Sequence, residues 1–150
     1  MTNHVHLLAT PGEVGAVSWM MQAIGRRYVG GFNARYRRTG TQWEGRFKAA
    51  LVDIDRYVLA CYRYIELNPV RAGMCVGPTD YRWSSYDFNA LGGSNPTITP
   101  HSDYLRLGRD TPTRLAAYRL LFEHDAGHSD DDLRAHTRQR KVWASGRLPT

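Results

Sequence analysis

Two stretches decide how this chain is read: Asn3-His4-Val5-His6-Leu7-Leu8, and Tyr62-Arg63-Tyr64-Ile65-Glu66-Leu67-Asn68-Pro69. The first reads as a β-strand over Asn3–Ala9, ended by Thr10-Pro11-Gly12. Side chains alternate faces along a strand, so His4 and His6 share one face and Val5 and Leu7 share the other, toward a core. Two imidazoles on one face are a ready pair of ligands for a divalent metal. The second stretch lies in a helix expected from Asp53 to Asn68. Asp53 or Asp55 can cap it, and Val58, Cys61, Tyr62 and Ile65 recur at helical spacing. Pro69 disfavours helical geometry at Asn68 and should end the helix there. Tyr57, Cys61, Tyr64 and Asn68 form one row, so Tyr64 and Asn68 can face a common site. A phenolic nucleophile candidate thus stands one turn from an amide oxygen able to bind metal; Tyr57 and Tyr62 compete for the same role. Glu66 faces away from Tyr64 and is expected to be solvated or paired with Arg63 or Arg71.

Working outward, the region between these stretches is basic. From Arg26 to Lys48 the chain carries Arg26, Arg27, Arg35, Arg37, Arg38, Arg46 and Lys48 against one acid, Glu44, which accounts for the whole formal net charge of +6. Tyr28, Phe32, Tyr36, Trp43 and Phe47 are interleaved with these charges. Cations that reach phosphates beside rings that stack on bases are what single-stranded DNA binding requires. The sequence pI near 9.6 likewise favours an anionic partner.

Hydrophobic content of 42% in 150 residues supports a packed domain with an appendage rather than disorder. A helix is expected over Val14–Asn33, weakened at its end by Gly30-Gly31. A turn follows at Arg37-Arg38-Thr39-Gly40, then a strand through Phe47–Val52. Gly73 to Ser85 reads as irregular, with Trp83 and Tyr86 packed. Ala90–Pro100 reads as a linker. Pro112–His124 reads as a helix with proline in its first turn, and Ser129 starts another. Cys61 and Cys75 do not make a disulfide framework and imply a reducing compartment. No run is long enough to span a membrane, and no signal peptide is evident. His124, His128 and His136 lack a ligand spacing.

The ordered set of motifs resembles one family. Asn3-His4-Val5-His6-Leu7-Leu8 looks like the histidine-hydrophobic-histidine (HUH) motif of single-tyrosine transposases. Trp43-Glu44-Gly45-Arg46-Phe47-Lys48, then Tyr62 through Gly73 with its Asn68-Pro69-Val70-Arg71 element, then Trp83-Ser84-Ser85-Tyr86, resemble the REP-associated tyrosine transposase branch. The resemblance runs from about Met1 to Tyr86. It implies an α+β, ferredoxin-like antiparallel sheet with helices on one side, here without the N-terminal segment that usually precedes the motif. It divides the chain into a catalytic domain over 1–90, a linker over 91–110 and a small helical C-terminal extension over 111–150. A sheet short of strands would leave a weakly stable protein or be completed by a second copy of the chain.

The resemblance also implies an activity. Such proteins nick and rejoin single-stranded DNA beside hairpins, through a tyrosine joined to the 5′ phosphate. His4 and His6 match the metal ligands, Asn68 the third ligand position, and Tyr64 the nucleophile. The metal is Mg²⁺ or Mn²⁺, the first preferring oxygen donors and the second accepting nitrogen more readily. Phenols are weak nucleophiles at neutral pH, and a cation on the scissile phosphate offsets that. Arg26, Arg27, Arg35, Arg37, Arg38, Arg46, Lys48 and Trp43 are the expected DNA contacts. A bacterial cytoplasmic, nucleoid-associated location follows. The alternative function is a catalytically inactive DNA-binding module. A barrel amidohydrolase using the same histidine pair fails on size, since such barrels need about 250 residues.

Overall fold

The computed structural model describes residues 4–52 and 57–123. Its elements are helices: α1 (Ala16–Tyr36), α2 (Val58–Arg71), α3 (Ser102–Leu105) and α4 (Thr111–Glu123), with a 3₁₀ turn at Pro78–Asp80 and a π-helical turn at Asp87–Leu91. Among the described residues there is no strand, only an isolated bridge residue at Val52. The expected α+β, ferredoxin-like sheet is therefore corrected to a helical architecture. The physical reason is local. An extended segment becomes a strand only when a neighbour satisfies its N–H and C=O groups. Neither the expected strand over Asn3–Ala9 nor that over Phe47–Val52 finds such a neighbour among the described residues. Val5 and Leu7, expected to point into a core, are 67% and 55% exposed. The reason given for a second copy of the chain, a sheet to complete, goes with the sheet.

The chain divides into two compact units, Leu8–Ala49 and the residues on either side of it. In the first, α1 starts two residues later than expected and runs three further, to Tyr36. Gly30 and Gly31 do not stop it, since a helical glycine costs only about 1 kcal/mol relative to alanine. Its stop is at Arg37, which takes a left-handed conformation (φ 50°, ψ 45°) with its N–H on the Asn33 carbonyl. Asn33 then ties the following turn back. Its Nδ2 donates to the Gly40 carbonyl at 2.9 Å, and its Oδ1 accepts from Gln42 Nε2 at 3.2 Å. No residue of α1 is fully buried. Trp43 returns to the helix, its ring 5.6 Å from that of Tyr28 and its indole nitrogen 3.3 Å from where a Cβ on Gly25 would stand. A side chain at Gly25 would push that ring away.

The second unit is built on α2, which packs on both sides. Cys61 and Tyr64 are buried against Val52, Tyr57, Ala60 and Ile65. Leu59 and Tyr62 pack against a separate core of Tyr86, Ala90, Tyr104 and Tyr118, contributed by the π-turn, α3 and α4, with Leu107, Leu121 and Phe122 around it. Rings there stand 5.0–6.4 Å apart, edge-on or tilted, the separations at which aromatic pairs attract. Two of the hydroxyls are engaged here: Tyr104 donates to the Asn89 carbonyl at 2.9 Å, and Tyr62 accepts from the His101 N–H at 3.3 Å. Asp110 opens α4 by accepting from the Thr113 N–H at 2.8 Å, and the helix follows the expected span closely.

Several expectations change in this unit. Asp53 and Asp55 lie outside the described residues; the residue before α2 is Tyr57, without a side-chain cap. Pro69 does not end α2, which continues to Arg71. Only the Ile65 carbonyl loses its donor to the proline, so the cost falls on one hydrogen bond near the helix end. Residues 91–110 do not act merely as a spacer, because α3 lies within them and buries Tyr104. Tyr86 is buried as expected, but Trp83 is 73% exposed, with the Arg82 guanidinium 4.4 Å above its ring. The expected helix from Ser129 lies outside the described residues.

Candidate functional site

His4, His6 and Tyr64 converge, although 58 residues separate the last two in sequence. The rings of His4 and His6 stand 5.1 Å apart and edge-on, and those of His6 and Tyr64 stand 5.7 Å apart, also edge-on. They do so without the strand expected to align the histidines. Tyr64 is fixed by α2 and is 8% exposed. His4 is exposed and His6 half-buried. Burial, and secondarily the neighbouring His4, pushes the His6 imidazole below its usual protonation range. A neutral imidazole presents a lone pair, which is the state that ligates metal.

The centroid separation of the histidine pair is compatible with two ligands of one cation. With a metal–nitrogen bond of about 2.1 Å, a ring centroid lies about 3.2 Å from the ion, so two such rings at about 90–110° stand about 4.5–5.3 Å apart. The observed 5.1 Å falls within that span. Asn68, buried one turn beyond Tyr64, donates through Nδ2 to the Tyr64 carbonyl at 3.4 Å. With the amide nitrogen committed there, its oxygen is the atom left to accept or ligate. Among the described residues, no three His, Cys, Asp or Glu side chains gather for a metal.

The competing tyrosines are placed differently. Tyr62 turns into the core shared with α3 and α4, and burial raises its phenol above the ordinary range. Tyr57 packs beside Cys61 and Tyr64. Cys61 is a free, buried thiol pushed up to about 12 by burial, and Cys75 is free as well. His124, His128 and His136 lie outside the described residues.

The sequence reading missed the placement of two further residues of α2. Arg71 places its guanidinium 5.3 Å from the Tyr64 ring centroid, and its Nη1 donates to the Tyr64 carbonyl at 3.3 Å. The i, i+7 spacing on α2 was the available signal, masked by the expectation that Pro69 ends the helix. Glu66, expected to be solvated or paired with Arg63 or Arg71, is fully buried. Its Oε1 accepts from Ser85 Oγ at 2.6 Å and Asn89 Nδ2 at 2.8 Å, and its Oε2 accepts from the Tyr118 hydroxyl at 2.7 Å. Burial raises its carboxyl pKa, while the three donors oppose that rise. The same burial and the Glu66 charge push the Tyr118 phenol far up, so it remains a donor. No sequence spacing announced this hub, because its partners come from the π-turn region and α4.

In the other unit, Arg26, Arg27, Arg35, Arg37, Arg38, Arg46 and Lys48 are all exposed. Among them runs a line of rings: Phe32 lies 6.0 Å from Tyr28 and 4.5 Å from Tyr36. The Arg38 guanidinium stands 5.9 Å from the Phe32 ring, and that of Arg35 5.9 Å from Tyr36. No helix among the described residues is long and apolar enough to cross a membrane. No protein-family model, curated protein or solved structure matches the chain.

Proposed function

We propose that this protein nicks and rejoins single-stranded DNA beside hairpins, using Tyr64 as the nucleophile and a divalent cation, Mg²⁺ or Mn²⁺, held by His4, His6 and Asn68. The observation that carries this reading is the row of three rings, His4, His6 and Tyr64. A bound cation would withdraw charge from the scissile phosphate and so ease attack on it. His6, kept neutral by its burial, is ready to ligate without first losing a proton. Asn68 offers its amide oxygen while its nitrogen holds the Tyr64 backbone. Attack by the Tyr64 hydroxyl oxygen forms a bond to phosphorus as the bond from phosphorus to the 3′ oxygen breaks. The tyrosyl proton passes to solvent, and the departing oxygen takes one up. A 5′-phosphotyrosine and a free 3′ hydroxyl result, and reversal rejoins the strand without ATP.

Strand binding falls to Leu8–Ala49. Its exposed cations would neutralise phosphates, and Tyr28, Phe32, Tyr36 and Trp43 would stack on unpaired bases. A bacterial, nucleoid-associated setting accords with this reading. One observation favours the second reading, a DNA-binding module without catalysis: Tyr64 has little exposed surface and packs on Cys61.

One assay separates the two. The protein is incubated with a labelled hairpin oligonucleotide bearing single-stranded flanks, with Mn²⁺ or Mg²⁺, and resolved on a denaturing gel. A covalent adduct that is absent from Tyr64→Phe and from samples with chelator is the expected result. Tight binding without an adduct supports the module. An adduct that persists in Tyr64→Phe refutes the nucleophile.

A further inference from the structure

We propose that Arg71 is a catalytic residue of this strand transfer, binding a non-bridging oxygen of the scissile phosphate beside Tyr64; this rests on the reading of Tyr64 given above. Arg71 is the last residue of α2, two turns beyond Tyr64 and on the same side of the helix. Its guanidinium lies over the Tyr64 ring, 5.3 Å from the centroid, and is tethered by Nη1 to the Tyr64 carbonyl at 3.3 Å. The tether reaches past Pro69, which α2 absorbs without ending, so the helix carries Arg71 to that position. The cation and the phenol therefore move as one body. Arg71 is half-buried rather than fully solvated, so its charge is less screened than a surface cation's.

The chemistry matches the need. As the Tyr64 oxygen bonds to phosphorus and the bond to the 3′ oxygen breaks, negative charge concentrates on the non-bridging oxygens. A guanidinium presents five N–H donors in a planar fork suited to two oxygens of a phosphate. Mounted on the nucleophile's own helix, it stays beside the Tyr64 ring as that charge develops. A purely structural alternative exists, because a cation at a helix C-terminus also complements the helix dipole. The test is chosen to separate them.

Single-turnover adduct formation is measured for the full chain and for Arg71→Ala, Arg71→Gln and Arg71→Lys. Arg71→Gln retains a donor for the Tyr64 carbonyl without the charge, and circular dichroism verifies folding of each. Two hairpin oligonucleotides are compared, one natural and one with an uncharged methylphosphonate at the position the wild-type protein cleaves. On natural DNA, Arg71→Ala and Arg71→Gln should slow the reaction by about 10²–10³-fold, the loss typical of removing one transition-state donor. Arg71→Lys and added guanidinium should recover part of it. On the methylphosphonate the variants and wild type should react at similar rates, because the oxygen that Arg71 serves is gone. An equal loss on both substrates, or none on either, overturns the role of Arg71 and leaves Tyr64 as nucleophile. Absence of any adduct from the wild-type chain overturns the reading of Tyr64 and this proposal with it.

Discussion

At the scale of single residues, burial acts on His6 and Glu66 in the same sense, disfavouring the charged form of each. His6 is half-buried beside a second imidazole, which favours the neutral ring. His6→Ala should abolish the covalent adduct while leaving DNA affinity within about threefold, because phosphate contacts that position a strand come from elsewhere. Filter binding and the denaturing gel, run side by side, check this; a parallel fall in both would assign His6 to strand binding. Glu66 is a carboxylate without exposed surface, and three donors converge on it. Glu66→Leu strands the Ser85 hydroxyl, the Asn89 amide and the Tyr118 hydroxyl. At about 1–3 kcal/mol for each buried unpaired group, less what the site relaxes, the expected loss is about 3–5 kcal/mol in urea unfolding. A loss under about 1 kcal/mol would mean that water reaches the hub.

At the scale of elements, α1 is a helix held by little of its own burial and covered in charge and rings. Neutralising Arg35, Arg37 and Arg38 together should weaken single-stranded DNA binding and reduce the slope of log K against log salt by about 2, at roughly 0.7 for each lost phosphate contact. An unchanged slope would make this segment only a solvated surface. The helices were legible in the sequence because a 3.6-residue rhythm of apolar positions is local information: α1, α2 and α4 were each read within a few residues at one end or both. The strands were not legible. Alternation over His4–Leu8 specifies a face, but a strand exists only with a ladder partner, and no local pattern guarantees one. Pro69 was misjudged for a related reason. One lost hydrogen bond near a helix end is tolerable when the residues after it, Val70 and Arg71, pack and pair. The approach of Tyr64 to His6 fits the face that the row of Tyr57, Cys61, Tyr64 and Asn68 marked out. The Glu66 hub could not be foreseen from a row of that kind, since an acid on an amphipathic helix ordinarily faces water.

At the scale of the whole molecule, the core of the second unit joins α2, α3, α4 and the π-turn through tyrosines and one carboxylate. That makes its stability depend on pH in a definite direction. The folded state holds the Glu66 proton to higher pH than the unfolded chain does, so folding takes up a proton between the unfolded value of 4.5 and the raised folded one. Ionisation of Glu66 thus removes stability as pH rises through that window, and nothing further is lost above it. Glu66→Gln, which keeps the shape and lacks the charge, should show a stability that gains on wild type as pH rises from about 4.5, read from urea midpoints across the range. A constant difference would place the ionisation elsewhere. The distribution of aromatic types has an optical consequence as well. Among the described residues, Trp19, Trp43 and Trp83 are 58%, 40% and 73% exposed, whereas the buried rings of the second unit are those of Tyr64, Tyr86, Tyr104 and Tyr118; Trp143 lies outside the described residues. In a Trp143→Phe background, indole emission should therefore be quenched when a nucleic acid settles on the surface and change little on loss of the core, while phenol absorbance does the reverse; one cuvette distinguishes docking from unfolding by wavelength.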